Sequence, residues 1–249
     1  MIQKCLSLLL VSVICLPAMA GDKENPKNTS KAKLEPMKIR KRNARPDIPG
    51  TLLVELGWNI LRDNPSEMEI GTLGSRTFNL YYFYNIELPF ASGRFELMPG
   101  FGVGLDRYRF EDDITLASNN DVEIVELEDL DVTKSMLVSN YFDVPLELRF
   151  YANPNDKKRS FKVGLGFKAG IRFSSHTKVK YEEDGNNVIE KEKNIFGLNR
   201  FRYGVTGRIG IGGINFFYYQ SLSELFESGE GPLDSAATNV TVGLSFRGF

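Results

Sequence analysis

The run SFKVGLGFKAGIRFS, residues 160–174, decides the fold. Phe161, Val163, Leu165, Phe167, Ala169, Ile171 and Phe173 are apolar at every second position, whereas Lys162, Gly164, Gly166, Lys168, Gly170, Arg172 and Ser174 fill the alternate ones. A repeat of two held this long specifies an extended strand with unlike faces, one suited to hydrocarbon and the other bearing a full charge or little side chain. Strands of soluble sandwiches usually run to about 5–6 residues. Crossing a bilayer obliquely takes about 9–11, with apolar groups toward lipid and polar ones toward a lumen. The stretch reads as a membrane-spanning strand.

Seven more segments repeat the pattern. Residues 51–61 set Leu52, Val54, Leu56, Trp58 and Ile60 against Glu55, Gly57 and Asn59. Residues 77–88 and 95–110 follow; in the latter Phe95, Leu97, Phe101, Val103 and Leu105 oppose Glu96, Gly100, Gly102, Gly104 and Asp106. Residues 136–151 set Phe142, Val144, Leu146, Leu148 and Phe150 against Asp143, Glu147 and Arg149. The opening run is the fifth strand and continues through His176 toward Tyr181; residues 200–212, 214–221 and 238–249 complete eight. Connections near Phe90-Ala91-Ser92-Gly93, Asn153-Pro154-Asn155-Asp156 and Gly212-Gly213 have tight-turn compositions. The other four gaps, 62–76, 111–135, 182–199 and 222–237, are long and polar. Strict alternation of short and long connections predicts an all-β fold, an eight-stranded antiparallel up-and-down transmembrane β-barrel over residues 50–249, with both ends on the short-turn side.

Composition agrees with an ordered, exported chain. The 31 Lys plus Arg balance 32 Asp plus Glu across 249 residues, so no overall field points to nucleic acid as a partner. Residues 1–20 read as a cleaved signal peptide: Lys4, an apolar core from Cys5 to Leu16, then Ala18-Met19-Ala20. Cleavage there removes Cys5 and Cys15, leaving no thiol; a competing lipid-anchor reading at Cys15 is disfavoured by Ile14 before it. Residues 21–49 carry Pro26, Pro36, Pro46 and Pro49 and the basic cluster Lys38, Arg40, Lys41, Arg42 and Arg45, the makings of a flexible periplasmic tail. Its cations could be merely solvated, or could grip an acidic partner, anionic lipid phosphates or carboxylates at the barrel's lower mouth.

Several features together resemble a known family: the entry Pro49-Gly50-Thr51-Leu52-Leu53-Val54-Glu55-Leu56-Gly57 after a basic tail, the Gly-rich third and fifth strands, Tyr218-Tyr219-Gln220-Ser221-Leu222-Ser223-Glu224-Leu225-Phe226 leading into Gly231-Pro232, and terminal Phe249. From Pro49 to Phe249 the chain is similar to the small outer-membrane β-barrel proteins of Bacteroidetes, the PorT-like group. The resemblance implies an outer-membrane location and a terminal Phe read by the barrel-insertion machinery. Val240, Val242, Leu244 and Phe246 are even while Phe249 is odd, so a bulge at Gly248 is needed to restore the phase.

An eight-stranded barrel is only about wide enough inside for side chains to fill. The expected lumen network comprises Glu55, Glu87, Asp143 and Glu147 with Arg149, Lys168, Arg172, Arg202 and Arg208, opposite charges pairing because an isolated buried charge costs several kcal/mol. Interspersed glycines make room for the long side chains, and Trp58, Tyr82, Tyr84 and Tyr218 suit interfacial girdles. The glycines at 100, 102 and 104 fall inside a strand, not the strand-turn-helix that a dinucleotide loop requires. His176 is the only histidine, and adjacent Ser174 and Ser175 point oppositely, so no catalytic group, metal site or cofactor is expected. The acidic segment 111–131 reads as a solvated external loop, its spacing matching no EF-hand. The functional expectation is a non-enzymatic outer-membrane scaffold presenting loops outside and a tail inside, its partners being outer-membrane lipid, the insertion machinery and a periplasmic or secretion-system protein. A narrow channel, or a secreted barrel enclosing an apolar ligand, are the alternatives.

Overall fold

The computed structural model describes residues 50–89, 91–118, 121–127 and 130–247. The expected export signal, the expected tail with its basic cluster, and the expected phase shift at Gly248 before Phe249 lie outside these residues.

Twelve strands follow in order: β1 (Gly50–Arg62), β2 (Arg76–Tyr84), β3 (Ile86–Glu87), β4 (Phe95–Arg109), β5 (Ile114–Ser118), β6 (Val122–Glu126), β7 (Asp131–Tyr151), β8 (Phe161–Glu183), β9 (Asn186–Glu192), β10 (Phe201–Ile211), β11 (Ile214–Glu224) and β12 (Thr238–Arg247). The wall runs β1, β2 extended by β3, β4, β7, β8, β10, β11 and β12, every neighbour antiparallel. It closes where β12 returns to β1, from Leu53 opposite Arg247 to Arg62 opposite Thr238. The result is a closed eight-stranded all-β barrel. Closure leaves the backbone groups of the wall paired with no free edge, the condition for a sheet surrounded by hydrocarbon.

Side-chain polarity is inverted relative to a water-soluble protein. Leu165, Phe101 and Val144 are 68, 65 and 63% exposed on the outer surface, whereas Arg149, Lys162 and Asp143 are 1% exposed within. Along β8 the alternation of the opening run holds from Phe161 to Phe173. There Asn140 pairs with Ser174 and Tyr141 with Arg172, so Phe173 is an extra residue in a bulge. Beyond it the even positions, starting with His176, face out. An apolar interior, and with it the soluble ligand-enclosing barrel, is overturned by this arrangement.

Short connections 85–94, 152–160 and 212–213 gather at one end, and 63–75, 110–130, 184–200 and 225–237 at the other. The long ones hold more structure than their polarity predicts. β7 and β8, 21 and 23 residues long, continue well past the apolar belt, and β9 folds back onto β8 through Asp184 and Gly185, both at positive φ. That pair of left-handed residues is the two-residue hairpin turn whose twist matches the strands. The acidic segment, expected as a solvated external loop, contains the β5–β6 hairpin, with Asp121, Glu123 and Glu126 exposed while Ile114 and Leu116 are buried. These two join Leu61, Met68, Tyr108, Phe110, Leu137, Phe196, Leu198, Leu225, Phe226 and Ala237 in a dry cluster across the long-connection end. The connections therefore form a cap with its own hydrophobic core.

Candidate functional site in the barrel lumen

Two guanidinium groups organise the interior. From β10, Arg202 donates Nε to Asp143 Oδ1 at 3.0 Å and Nη2 to Asp143 Oδ2 at 2.7 Å, and its Nη1 donates to Asp106 of β4. Asp143, on β7, also accepts from the Tyr81 hydroxyl at 2.7 Å and has Lys168 Nζ 3.9 Å away. The Arg202 guanidinium lies 3.8 Å from the Tyr141 ring centroid, and Lys168 Nζ lies 3.7 Å from that of Tyr219. Planar contact of this kind stabilises a desolvated cation over an aromatic face. Six residues further along β10, Arg208 pairs with Glu55 of β1 and Glu147 of β7. Arg149 donates to the same Glu147 at 2.7 Å, and Asn79 donates to Glu55 at 2.9 Å.

Four cations, Arg149, Lys168, Arg202 and Arg208, thus meet four carboxylates, Glu55, Asp106, Asp143 and Glu147. Local neutrality matters because each unpaired buried ion would cost several kcal/mol. A neutral polar seam links the network to the closing strands, the Thr241 hydroxyl donating to Asn59 Oδ1 at 2.8 Å and Asn59 Nδ2 to Asp106 at 3.5 Å. The inward glycines supply the space: a Cβ on Gly104 would strike Arg202 Nη2, one on Gly170 the Asp143 carboxylate, and one on Gly164 the Glu147 carboxylate.

Seven of the nine expected network residues are brought together, and two are not. Glu87 stands at the rim because the second strand breaks at Asn85; its side chain is 70% exposed and accepts from Lys157 at 2.6 Å. Lys157 also reaches Glu96 at 3.0 Å, and Glu96 accepts from the Tyr151 hydroxyl at 2.9 Å. Burial alone would lower the Lys157 pKa, but hydrogen bonds to Glu87 and Glu96 outweigh it and raise the value above 10.5. Arg172 lies inward at the opposite end, where it donates to the Leu198 carbonyl at 2.9 Å, the Asn199 carbonyl at 3.4 Å and Ser175 Oγ at 3.0 Å. It fastens the cap to the wall and is not part of the ion network. Asp106 takes the place expected of Glu87. Its period-two position placed it inward, but only the pairing of strands distant in sequence shows that it meets Arg202.

A void lined by Tyr108, Tyr141, Arg202, Tyr219 and Asn239 measures ≈ 10 Å³, about one water's worth of space. Toward the short-turn end Leu53, Tyr81, Phe83 and Met98 pack together, and the Lys162 ammonium donates to the Gly212 carbonyl. By contrast, a recess of ≈ 500 Å³ lined in part by Asp121, Asn194, Glu230 and Asp234 lies in the cap. His176 faces outward on β8, while Ser175 faces inward and donates to the Asn194 carbonyl at 2.6 Å, so the two do not form a nucleophile–base pair.

No curated protein matches the chain. Among solved structures, the crystal structure of Ail, the attachment invasion locus protein of Yersinia pestis, is 14% identical over 80% of this chain and 97% of its own, with a TM-score of 0.36. The same protein in complex with the heparin analogue sucrose octasulfate aligns over the same shares at 14% identity and a TM-score of 0.35. Residues 52–227, from the third residue of β1 into the cap, match the model of the outer membrane protein beta-barrel domain, and the chain belongs to that family.

Proposed function

We propose that this protein is a non-enzymatic, non-conducting outer-membrane scaffold, its barrel a filled core that holds the folded cap at the cell exterior. The observation that carries the reading is the matching of four cations to four carboxylates inside the lumen, in two sets of contacts, one joining β4, β7, β8 and β10 around Arg202 and the other joining β1, β7 and β10 around Arg208. An ion passing through would have to break several charge-assisted contacts at once, each about twice as strong as a neutral hydrogen bond. Short turns belong on the periplasmic side and long connections outside in barrels of this kind. The basic cluster Lys38, Arg40, Lys41, Arg42 and Arg45 then precedes the barrel on the periplasmic side, where it engages an acidic surface of a secretion or envelope assembly. The resemblance to the PorT-like group supports that setting. Planar-bilayer recordings on the refolded protein test the central point: the expected record is closed, and a persistent open conductance in the unmodified protein would refute the reading.

A further inference from the structure

Just beyond the apolar belt, on the long-connection side, the outward face of β2, β4, β7, β8 and β9 turns strongly basic. Strand pairing arranges it in two rows. Arg76 lies opposite Arg107, which lies opposite Val138 and then His176. Two residues further out, about 7 Å along the strands, Arg109 lies opposite Met136, then Lys178, then Lys191. Lys134 sits one step beyond on β7. The carboxylates of β9, Glu190 and Glu192, fall on the other side, in register with the inward Val179 and Thr177. Among the described residues, none of Arg76, Arg107, Arg109, Lys134, Lys178 and Lys191 has a carboxylate within ion-pair distance. The guanidinium groups of Arg76 and Arg109 donate to the carbonyls of Leu73 and Thr133.

This is a costly arrangement unless something offsets it. Like charges directly opposite on neighbouring strands destabilise a sheet, and here Arg76 faces Arg107 and Lys178 faces Lys191. At Lys134 burial lowers the pKa first, and the neighbouring charges of Arg109, Lys178, Arg107 and Arg76 lower it further. The centre of the lumen, where four cations meet four carboxylates, shows what the same chain does where no outside anion is at hand. The patch is also continuous with the lipid-facing surface: Leu105 and Arg107 are successive outward residues of β4, and Phe142 and Phe173, 4.3 Å apart as rings, are separated from Val138 and His176 by the single pair Asn140 and Ser174.

We infer that this face binds the phosphates of a phosphorylated glycolipid of the outer leaflet, its acyl chains lying along Leu105, Phe142 and Phe173 and its headgroup against the two basic rows. The height fits, since the rows begin where the apolar belt ends. So does the chemistry, guanidinium forks and ammonium groups being the usual partners of phosphate oxygens. The inference rests on the orientation given under the proposed function, which places this end outside.

The test uses the full chain refolded in detergent and titrated with diphosphoryl lipid A or with the same lipid stripped of its phosphates, retention being read by native mass spectrometry. At roughly 1 kcal/mol per cation near an anionic surface, the variant Arg107→Gln/Arg109→Gln/Lys178→Gln should retain the phosphorylated lipid about a hundredfold less tightly. Neither protein should hold the stripped lipid. Heat-modifiable gel migration verifies that the variant barrel is folded. A second readout is His176, whose imidazole is held below 6.5 by burial and by Lys191, Lys193, Arg107 and Lys178; bound phosphate should raise its pKa in an NMR titration. Equal retention by the two proteins, or of the two lipids, overturns the inference. Inositol hexakisphosphate binding as tightly as the lipid overturns it in favour of a soluble polyanion. Orientation is checked separately with Lys191→Cys in intact cells and a membrane-impermeant maleimide. Labelling only after permeabilisation would overturn the orientation and this inference with it, whereas labelled cells with no lipid retention would overturn this inference alone.

Discussion

The barrel and its cap are built from one chain but have opposite interiors. In the barrel the ions are inside and most of the phenylalanines outside; in the cap Phe196, Leu198 and Phe226 are fully buried and the carboxylates of the β5–β6 hairpin are exposed. The rule obeyed in both places is the same, that a side chain goes where its surroundings cost least. What differs is the solvent. The boundary between the two regimes falls near the bulge at Phe173, where β8 changes which alternate positions face outward.

The largest expected effect comes from breaking the barrel's interior. Arg202→Met leaves Asp106 and Asp143 without their shared guanidinium, and loss of one partner from a buried pair typically costs about 3–5 kcal/mol. Urea titration of the refolded protein, followed by heat-modifiable migration, measures it. Adding Asp106→Asn restores the charge balance and should recover a good part of the loss; no recovery would mean that charge matching is not what stabilises the lumen. Next is the cap. Phe226→Ala should cost about 3 kcal/mol, but in hydrogen exchange the loss should be confined to the cap, leaving the wall amides of β1 and β12 protected. Uniform loss would show that cap and barrel are one cooperative unit. The smallest effect is at the rim, where the Lys157 pair meets water and is worth under about 1 kcal/mol. Because the Lys157 pKa is raised above 10.5, its contribution is present below that pH and lost as the pH rises through the folded value. A difference between wild type and Lys157→Met that persisted above pH 12 would contradict the assignment.

The barrel was legible because its signal is local. Each strand from residue 160 onward and before it carries its own alternation, and Leu165 beside Lys168 already states which side is which. Glu87 was misplaced because period two was carried through Asn85, where the strand breaks. Arg172 was placed inward correctly, but whether it meets a carboxylate or a carbonyl depends on the cap. The cap itself left signals: Asp184-Gly185 between two extended runs marks a hairpin, and Ile114-Thr115-Leu116 with Val122-Glu123-Ile124 alternates on both sides of a polar turn. Their surroundings were so charged that composition outweighed pattern. The assembly of Phe196 with Phe226 depends on contacts between distant segments and had no local trace.

The seam between β1 and β12 bears on how the molecule is made. The hydrogen bond from Arg247 to Thr51 spans 196 residues, so the sheet stays an open, edge-exposed ribbon until the final strand has been synthesised and delivered. Such high contact order makes for slow closure and a vulnerable half-built state. Moving the chain ends to Gly212-Gly213 by circular permutation would keep every pairing of the wall and merely shift which edge waits longest for its mate.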